Sequence, residues 1–262
     1  MIFYFTGTGN SLAVARQLSQ ALQEPLSAMS DQLQVKGKAF SLQPGEAVGL
    51  VFPVYFYTIP RLVADFIRSL RLVSHEKPYI YAVLTCGGQT GQAGRDLERQ
   101  LLRQRLELSY LTAVVLPDNY VPLLHVPNEK KQQVLFLTAE KDLITATVQI
   151  KARKKGDHNA KKGLLSGLLT ASAAPLYRDG RKTNRFWASD CCTGCHLCAN
   201  ICPEKTIEIR HGKPVWIKER CTFCLACLHR CPVQAIEHGR TTKGKTRYVH
   251  PMLQKKSWET LT

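Results

Sequence analysis

Two cysteine runs in the last third of the chain constrain its fold more than any other feature. From Cys192 the sequence reads C-T-G-C-H-L-C-A-N-I-C-P, and from Cys221 it reads C-T-F-C-L-A-C-L-H-R-C-P, so both have the spacing C-x2-C-x2-C-x3-C-P. Three further pairs match when the sequence is shifted by 29 residues: Thr193 with Thr222, Ile207 with Ile236, and Glu208 with Glu237. The segment is therefore an internal repeat rather than two chance motifs.

The spacing is the ligand pattern of paired iron–sulfur clusters. Three cysteines at i, i+3 and i+6 hold three corners of one [4Fe–4S] cluster, while the fourth, turned away by the following proline, ligates the other cluster. This crossed ligation predicts one cluster on Cys192, Cys195, Cys198 and Cys231, and a second on Cys221, Cys224, Cys227 and Cys202. The alternative is a pair of zinc sites, although zinc favours two separated C-x2-C pairs. The repeat resembles the bacterial ferredoxins over about residues 184–240.

Other residues of the repeat leave alternatives open. Cys191 is surplus to the eight ligands, and is an alternative ligand, a redox thiol or a spectator. His196 and His229 lie next to ligands in the sequence, and either bond to cluster sulfur or face solvent. No signal-peptide pattern precedes the first strand, and no apolar run reaches the roughly 20 residues of a spanning helix. We therefore expect a cytoplasmic protein without a membrane span. Because thiols stay reduced in the cytoplasm, we expect the cysteines to bind metal rather than to form disulfides.

The N-terminal half alternates predicted strands with predicted helices. Continuous apolar runs predict buried strands at 1–5, 47–55, 78–86 and 111–117. Helical spacing predicts helices at 11–23, 60–71, 92–107 and 128–150. The alternation predicts an α/β fold with a parallel sheet, in which ligands bind beyond the carboxyl ends of the strands. We expect the loops 6–11, 53–60 and 85–91 to enclose one cofactor there.

The first of these loops, T-G-T-G-N-S at residues 6–11, predicts an anion site. A Gly-rich loop between a strand and a helix presents backbone N–H groups and the positive end of the helix dipole. No lysine follows Gly9, as a nucleoside triphosphate loop requires, and the third glycine of the dinucleotide pattern is absent. The side chains of Thr6, Thr8, Asn10 and Ser11 can donate instead, so we expect a phosphate held mostly by neutral donors.

The loop resembles the FMN phosphate loop of the flavodoxins, and in element order the resemblance covers about residues 1–150. It implies a doubly wound parallel sheet of order 2-1-3-4-5 with bound FMN. It also implies that the phosphate is held by Thr6, Gly7, Thr8, Gly9, Asn10 and Ser11. The residues implied to flank the isoalloxazine ring are Pro53, Val54, Tyr55, Thr85, Cys86, Gly87 and Gly88.

The ring-flanking loops leave two questions open. Tyr55 is the expected stacking residue, ahead of Phe56, Tyr57 and Tyr120, but these rings could equally pack in the core. Cys86 is either a redox-active thiol or a small residue at a strand end. The second and third loops contain no Asp or Glu, unlike the acidic flavin surroundings of ordinary flavodoxins, which predicts a less negative flavin potential.

The chain as a whole resembles the flavodoxin-ferredoxin fusion proteins of anaerobic bacteria and archaea. A flavodoxin-like domain at 1–150 precedes a basic, partly helical connector at 151–183 and a small α+β ferredoxin-like domain at 184–262. The resemblance implies an electron-transfer protein that relays single electrons between two [4Fe–4S] clusters and FMN, and onward to a redox partner. The alternative is an FMN-dependent reductase of a quinone or nitro acceptor fed by the clusters, so an enzymatic role stays open.

The charge is concentrated in the C-terminal part. The formal net charge is +16; residues 1–150 carry 14 basic and 12 acidic side chains, whereas residues 151–262 carry 22 and 8. This asymmetry favours a redox protein partner with an acidic docking face. A redox-sensing nucleic-acid-binding protein is a third possibility, but no DNA- or RNA-binding motif accompanies the charge, so we expect no nucleic acid. The sequence leaves the oligomeric state open.

Overall fold

The structure, a computed structural model, describes residues 1–35, 37–177 and 179–254. Its strands are β1 (Ile2–Tyr4), β2 (Leu26–Ala28), β3 (Phe40–Ser41), β4 (Ala47–Pro53), β5 (Leu72–Val73), β6 (Tyr79–Cys86), β7 (Tyr110–Val115), β8 (Gly156–Asp157), β9 (Arg181–Lys182), β10 (Phe186–Ala188), β11 (Ile207–Arg210), β12 (Lys213–Trp216), β13 (Arg220–Cys221) and β14 (Ile236–His238). Its helices are α1 (Asn10–Leu22), α2 (Met29–Gln32), α3 (Arg61–Ser69), α4 (Ala93–Arg103), α5 (Glu129–Lys151), α6 (Ser166–Ala173), α7 (Leu197–Asn200), α8 (Ala226–His229) and α9 (Pro251–Gln254), with a 3-10 turn at Ala174–Tyr177.

The main sheet is parallel and has the order β2-β1-β4-β6-β7-β8. Counted among the strands of this sheet alone, the first five have the predicted order 2-1-3-4-5, which confirms the flavodoxin-like fold class. The apolar runs did not indicate β2 or β8. The reason is physical: β2 is three half-buried residues and β8 is two exposed residues, so neither carries the continuous apolar run of a fully buried strand.

Helices cover both faces of this sheet and create two apolar cores. On one face, α1 and α5 pack against side chains such as Tyr81 and Val83 of β6. On the other face, α3 and α4 pack against the alternate side chains of β6, among them Ile80 and Leu84. Residues 80–86 of β6 are therefore buried throughout, which matches their uninterrupted apolar sequence. We call residues 1–157, which build this sheet and its helices, the N-terminal module.

Outside the main sheet, β3 and β5 pair in parallel within the N-terminal module. The strands from β9 onward form a small module whose pairs are antiparallel. The pairs are β10 with β14, β11 with β12, and β9 with β13. Short helices α7 and α8 begin at equivalent positions of the cysteine repeat, and the residue before each, His196 or Leu225, has a left-handed backbone. The core includes Phe186, whose ring stacks on Trp216 with centroids 5.2 Å apart. We call residues 181–247 the cysteine module, and its small α+β architecture confirms the expectation for this part of the chain.

The segment between the modules contains α6 and the 3-10 turn. It is tied to the N-terminal module where Gln92 N donates to Thr170 Oγ1 over 3.0 Å. It is tied to the cysteine module where Tyr177 Oη donates to the carbonyl of Thr222 over 2.7 Å. The domain boundaries after residues 150 and 183 stay predictions, and residues 255–262 of the predicted last domain lie outside the described residues. Within the described ranges, no helix is both long and apolar enough to cross a membrane.

Candidate cofactor site between the two modules

A cavity of about 530 Å³ lies between the carboxyl edge of the parallel sheet and the cysteine module. Its size falls within the roughly 300–1,000 Å³ of ordinary ligand and cofactor pockets. The predicted FMN contacts that line it are Thr6, Gly7, Thr8, Asn10, Ser11, Pro53, Val54, Tyr55, Thr85, Cys86, Gly87 and Gly88. Gly9 instead lies against the side chains of His250 and Leu253, behind the loop. The structure thus brings three loops that are distant in sequence to one cavity.

The hydroxyl groups of the first loop suit an anion. Thr6 Oγ1 accepts a hydrogen bond from Gly9 N over 3.1 Å, and Thr8 Oγ1 accepts one from Asn119 Nδ2 over 2.5 Å. A hydroxyl has one donor hydrogen and two acceptor lone pairs, so an oxygen that accepts from N–H keeps its hydrogen for another acceptor. Because α1 begins at Asn10, its first backbone N–H groups lie beside these hydroxyls. The loop therefore offers neutral donors of the kind that hold a phosphate.

Two side chains of this loop bond to other segments of the protein. Ser11 Oγ and Thr85 Oγ1 lie 2.8 Å apart and buried, which joins the first and third loops. Asn10 Nδ2 donates to the carbonyl of Pro117 over 3.0 Å, and Asn10 Oδ1 accepts from Tyr248 Oη over 2.6 Å. The Asn10 amide, a predicted phosphate donor, instead bonds to Pro117 and Tyr248 and fixes the position of the loop.

The second loop is a tight turn that holds aromatic rings at the cavity. Tyr55 and Thr58 exchange backbone hydrogen bonds of 3.1 and 3.0 Å, and the intervening Phe56 and Tyr57 both have positive φ, 51° and 60°. Such left-handed backbone costs bulky residues roughly 1–3 kcal/mol each and is concentrated at functional sites. The ring of Phe56 stacks on Tyr177 with centroids 5.1 Å apart. The strained turn is therefore supported by packing across the segment that joins the modules.

Tyr55, the expected stacking residue, lies between the cavity and the second cysteine motif. Its ring meets Phe5 and Tyr177 edge-on, with centroids 6.2 and 6.0 Å apart. Burial, and then the neighbouring thiol of Cys224, raise the pKa of Tyr55 well above its ordinary value. Its hydroxyl is therefore protonated at neutral pH and lies beside the cavity.

The third loop brings a thiol and meets a carboxylate. Burial raises the pKa of Cys86 to about 12, which keeps the thiol protonated at neutral pH and favours its interpretation as a small residue at a strand end. The Asp118 side chain packs directly against Gly87 and lines the cavity. The absence of acids from the second and third loops therefore does not leave the site without one, because Asp118 arrives from the loop after β7.

Crossed ligation predicts two groups of four cysteines, and this ligand assignment stays a prediction. Burial, followed by the nearby thiols of Cys195, Cys231 and Cys192, raises the pKa of Cys198 to about 11. The same four cysteines line one small cavity. In the other group, burial and then the thiols of Cys202 and Cys221 raise the pKa of Cys224. The eight cysteines of the repeat offer an all-sulfur donor set, which fits iron–sulfur clusters.

The repeat also equips both groups with the same hydrogen bond to sulfur. Thr206 N donates to Cys202 Sγ over 3.2 Å, and Ala235 N, its equivalent in the second half, donates to Cys231 Sγ over 3.3 Å. Both sulfurs belong to the fourth cysteine of their motif. Hydrogen bonds to ligand sulfur are one means by which a protein sets the potential of a cluster.

The second cysteine motif forms one wall of the large cavity. Phe223, Cys224 and Leu225 line it, and a Cβ atom on Gly7 would overlap the carbonyl oxygen of Cys224. In the first motif, by contrast, Cys195 is exposed. The Cys221 group thus lies at the cavity, and the Cys192 group reaches the protein surface.

A polar network holds the modules together next to this wall. Arg61, the first residue of α3, pairs with Glu204 over 2.5 Å, and the pair is only 27% and 11% exposed. Glu204 also accepts from the backbone N–H of Thr222 over 2.5 Å, beside Cys221. Arg61 N donates to Tyr177 Oη over 3.2 Å. These contacts fix the second motif against the helix that follows the second loop.

His229 joins the second motif to the loop after β7. Its Nδ1 accepts from Tyr248 N over 3.1 Å, and its Nε2 lies 2.8 Å from the carbonyl of Asn119 and must donate to it. Burial lowers the pKa of His229 to about 4, so this imidazole is neutral. Neither open alternative, a bond to cluster sulfur or a solvated ring, describes His229, whereas His196 is exposed. Cys191 is exposed too, with its sulfur 2.9 Å from Ser189 Oγ.

Two family models match the chain, and together with the fold and the site they support an electron-transfer or flavoprotein oxidoreductase role. Residues 1–116 match the family model of the flavodoxin domain, and residues 191–236 match that of the 4Fe-4S dicluster domain. Together these matches confirm the resemblance to a flavodoxin-ferredoxin fusion. The flavodoxin domain implies FMN, and the dicluster domain implies iron–sulfur clusters.

Solved structures with a similar chain course were also found. A flavoprotein from Bacteroides uniformis is 15% identical and has a TM-score of 0.35, with 44% of this chain and 88% of that chain covered. The Trp repressor binding protein from Bacillus subtilis is 11% identical and has a TM-score of 0.37, with 60% and 100% covered. These similarities are too low to inform function. No curated protein matches the chain.

Proposed function

We propose that the chain is an electron-transfer protein in which one FMN and two [4Fe–4S] clusters form a single relay to a redox partner. One observation carries this proposal. Cys224, a predicted cluster ligand, lines the same cavity as the loops that are predicted to bind FMN, so the two predicted sites share a wall. Clusters change by one electron, whereas FMN accepts one or two, so together they connect single-electron and paired-electron chemistry.

The chain's own residues divide into three roles in this proposal. The phosphate is held by Thr6, Gly7, Thr8 and Ser11, with Gly9 and Asn10 acting by positioning the loop. The ring is flanked by Pro53, Val54, Tyr55, Thr85, Cys86, Gly87 and Gly88. The clusters are held by Cys192, Cys195, Cys198 and Cys231, and by Cys221, Cys224, Cys227 and Cys202. No residue is assigned as an acid or base, because an electron relay needs none.

The burial of the cysteines supports one order for the relay. The Cys221 group lies against the cavity, and the thiol of Cys198 from the other group acts electrostatically on Cys227. Cys195 of the Cys192 group is exposed, which places this group at the surface end of the relay. We therefore place the Cys221 cluster between FMN and the Cys192 cluster, with the latter exchanging electrons at the surface. The surplus of basic side chains after residue 150 favours a protein partner with an acidic docking face.

A second candidate, an FMN-dependent reductase of a small apolar acceptor, is favoured by the mouth of the cavity. Leu123, Leu124 and Leu176 line it and are 73%, 42% and 61% exposed. An apolar rim of this kind suits a quinone-like or nitroaromatic acceptor. Steady-state assays with a panel of acceptors distinguish the two candidates, because a carrier transfers electrons to many acceptors without selectivity and a reductase discriminates among them.

Anaerobic reconstitution with iron, sulfide and FMN tests the leading proposal. The purified chain should contain iron, acid-labile sulfide and flavin in the proportions of two [4Fe–4S] clusters to one FMN, and a reductive titration should bleach flavin and cluster absorbance together. Protein that binds no flavin, or whose cysteines bind zinc in place of clusters, would contradict it.

A further inference from the structure

Residues 248–253, which we call the strap, cross the outer side of the phosphate loop. The backbone N–H of His250 donates to the carbonyl of Thr8 over 2.8 Å. A Cβ atom on Gly9 would meet Leu253 Cδ1 at 2.7 Å and His250 Cβ at 2.9 Å, so the strap lies directly on the loop. It follows the cysteine module in sequence, but packs on the N-terminal module.

Tyr248 makes the most specific contact of the strap. It is 2% exposed, and its hydroxyl donates to Asn10 Oδ1 over 2.6 Å. Asn10 is the first residue of α1, whose N-terminal N–H groups belong to the anion site, and its amide nitrogen is held by Pro117. The two bonds fix both ends of the Asn10 amide, so Tyr248 restricts the geometry of the loop without lining the cavity itself.

The strap is anchored to the second cysteine motif through His229. This residue of α8 accepts from Tyr248 N and donates to the carbonyl of Asn119. The Asn119 side chain in turn donates to Thr8 Oγ1. Loop, strap and cysteine helix therefore form a closed circuit of hydrogen bonds in which every link is buried or partly buried.

We propose that Tyr248 is a positioning residue for the phosphate group of FMN. The inference rests on the proposed binding of FMN and concerns only the phosphate end of that site. A loop held in its binding geometry before the ligand arrives loses less conformational freedom on binding, and this gain appears as affinity. Because Tyr248 and His250 contact Asn10 and Thr8 of the phosphate loop, the contribution of the strap should affect FMN and not riboflavin, which lacks the phosphate.

The test compares the two flavins in the full-length, cluster-reconstituted chain. Dissociation constants for FMN and for riboflavin are measured by quenching of flavin fluorescence in wild type and in Tyr248→Phe. Removal of one neutral hydrogen bond should weaken FMN binding about 3- to 10-fold and leave riboflavin binding unchanged. Tyr79→Phe is the matched control: it deletes a hydroxyl bonded to the Lys154 carbonyl over 2.6 Å, at the far end of β6.

The outcomes separate this inference from the proposed function. Unchanged FMN affinity in Tyr248→Phe, or an equal loss for both flavins, overturns the positioning role while FMN binding stands. A wild-type chain that binds neither flavin refutes the proposed function, and this inference with it. Asn10→Ala completes a double-mutant cycle. If Tyr248→Phe weakens FMN equally in the Asn10→Ala background, the hydroxyl does not act through Asn10 and the proposal fails.

Discussion

Gly7 lies against the main chain of Cys224, with no room for a side chain between them, because a Cβ atom on residue 7 would overlap the Cys224 carbonyl oxygen. The first residue belongs to the loop after β1, and the second to the second cysteine motif. The phosphate loop is therefore in van der Waals contact with the loop that carries three predicted ligands of the second cluster. Two predicted binding sites that are separate in sequence thereby share one wall.

Substitution of Gly7 tests this contact directly. Gly7→Ala should destabilise the docked protein by about 1–3 kcal/mol, because the added methyl group collides with main chain that cannot rotate away. The measurement is the free energy of unfolding in urea, on protein reconstituted with clusters but without FMN.

The control for that experiment is Gly167→Ala in α6. This glycine is exposed, and a Cβ atom added to it would lie 3.9 Å from Gln92 Nε2, which is ordinary van der Waals contact. Gly167 is the second residue of the helix, so alanine there should be neutral or stabilise by less than the roughly 0.5–1 kcal/mol of a helix interior. Equal effects of the two substitutions would show that Gly7 is not confined by Cys224.

The ion pair between the modules gives a second prediction. Arg61→Met should lower the free energy of unfolding by about 1–3 kcal/mol. The substitution removes the cation that pairs with the Glu204 carboxylate, and the Glu204 side chain is only 11% exposed to water. Arg68→Met, which removes the more exposed partner of Asp65, should change it by less than about 0.5 kcal/mol. Urea unfolding measures both variants, and a loss no larger for Arg61 than for Arg68 would contradict the docking described for this network.

A buried imidazole predicts how stability depends on pH. Burial first, and then the charges of Arg185 and Arg181, lower the pKa of His238 to about 4, and its ring lies between Phe186 and Phe223 with centroids 4.9 Å from each. In the unfolded chain a histidine titrates near 6.5. The folded state therefore binds fewer protons between these values, and stability falls as the pH drops below about 6.5 until it levels near 4.

His238→Phe should remove one such contribution. Each buried histidine adds a slope of up to about 1.4 kcal/mol per pH unit in this window, and the variant should lose that part of the decline between pH 7 and pH 5. Burial also lowers the pKa of His229 and of His250 to about 4, and the variant should keep the contributions of these two residues to the pH dependence. The same change at the exposed His75 is the control. A variant whose stability falls as steeply as that of wild type would contradict the assignment.

The sequence predicted the parts of this protein that are local. The cysteine spacing and the T-G-T-G-N-S loop fix chemistry within a few residues, and the long apolar runs of β4 and β6 report burial on both faces. The domain matches and the observed strand order confirm the resulting fold. The short β2 and β8 escaped detection, because strands this short bury too little to leave a pattern.

The sequence did not predict the contacts that depend on how the two modules pack against each other. Asp118 reaches the cavity from a loop with no motif, and Tyr248 meets Asn10 only because the strap after the cysteine module folds back over the phosphate loop. His229 stands beside a ligand in sequence, yet its partners are Asn119 and Tyr248. Spacing informs about neighbours along the chain, whereas these partners are set by the packing of one module on the other.

Electron paramagnetic resonance of the partly reduced protein tests the shared wall most directly. A reduced cluster next to FMN should speed the spin relaxation of the flavin radical in wild type and in Cys231→Ala, which removes only the surface cluster. Cys202→Ala removes the cluster at the cavity wall and should abolish most of that enhancement. A flavin radical that relaxes slowly in wild type, or enhancement that is lost in Cys231→Ala and kept in Cys202→Ala, would contradict the relay and the crossed ligation on which it depends.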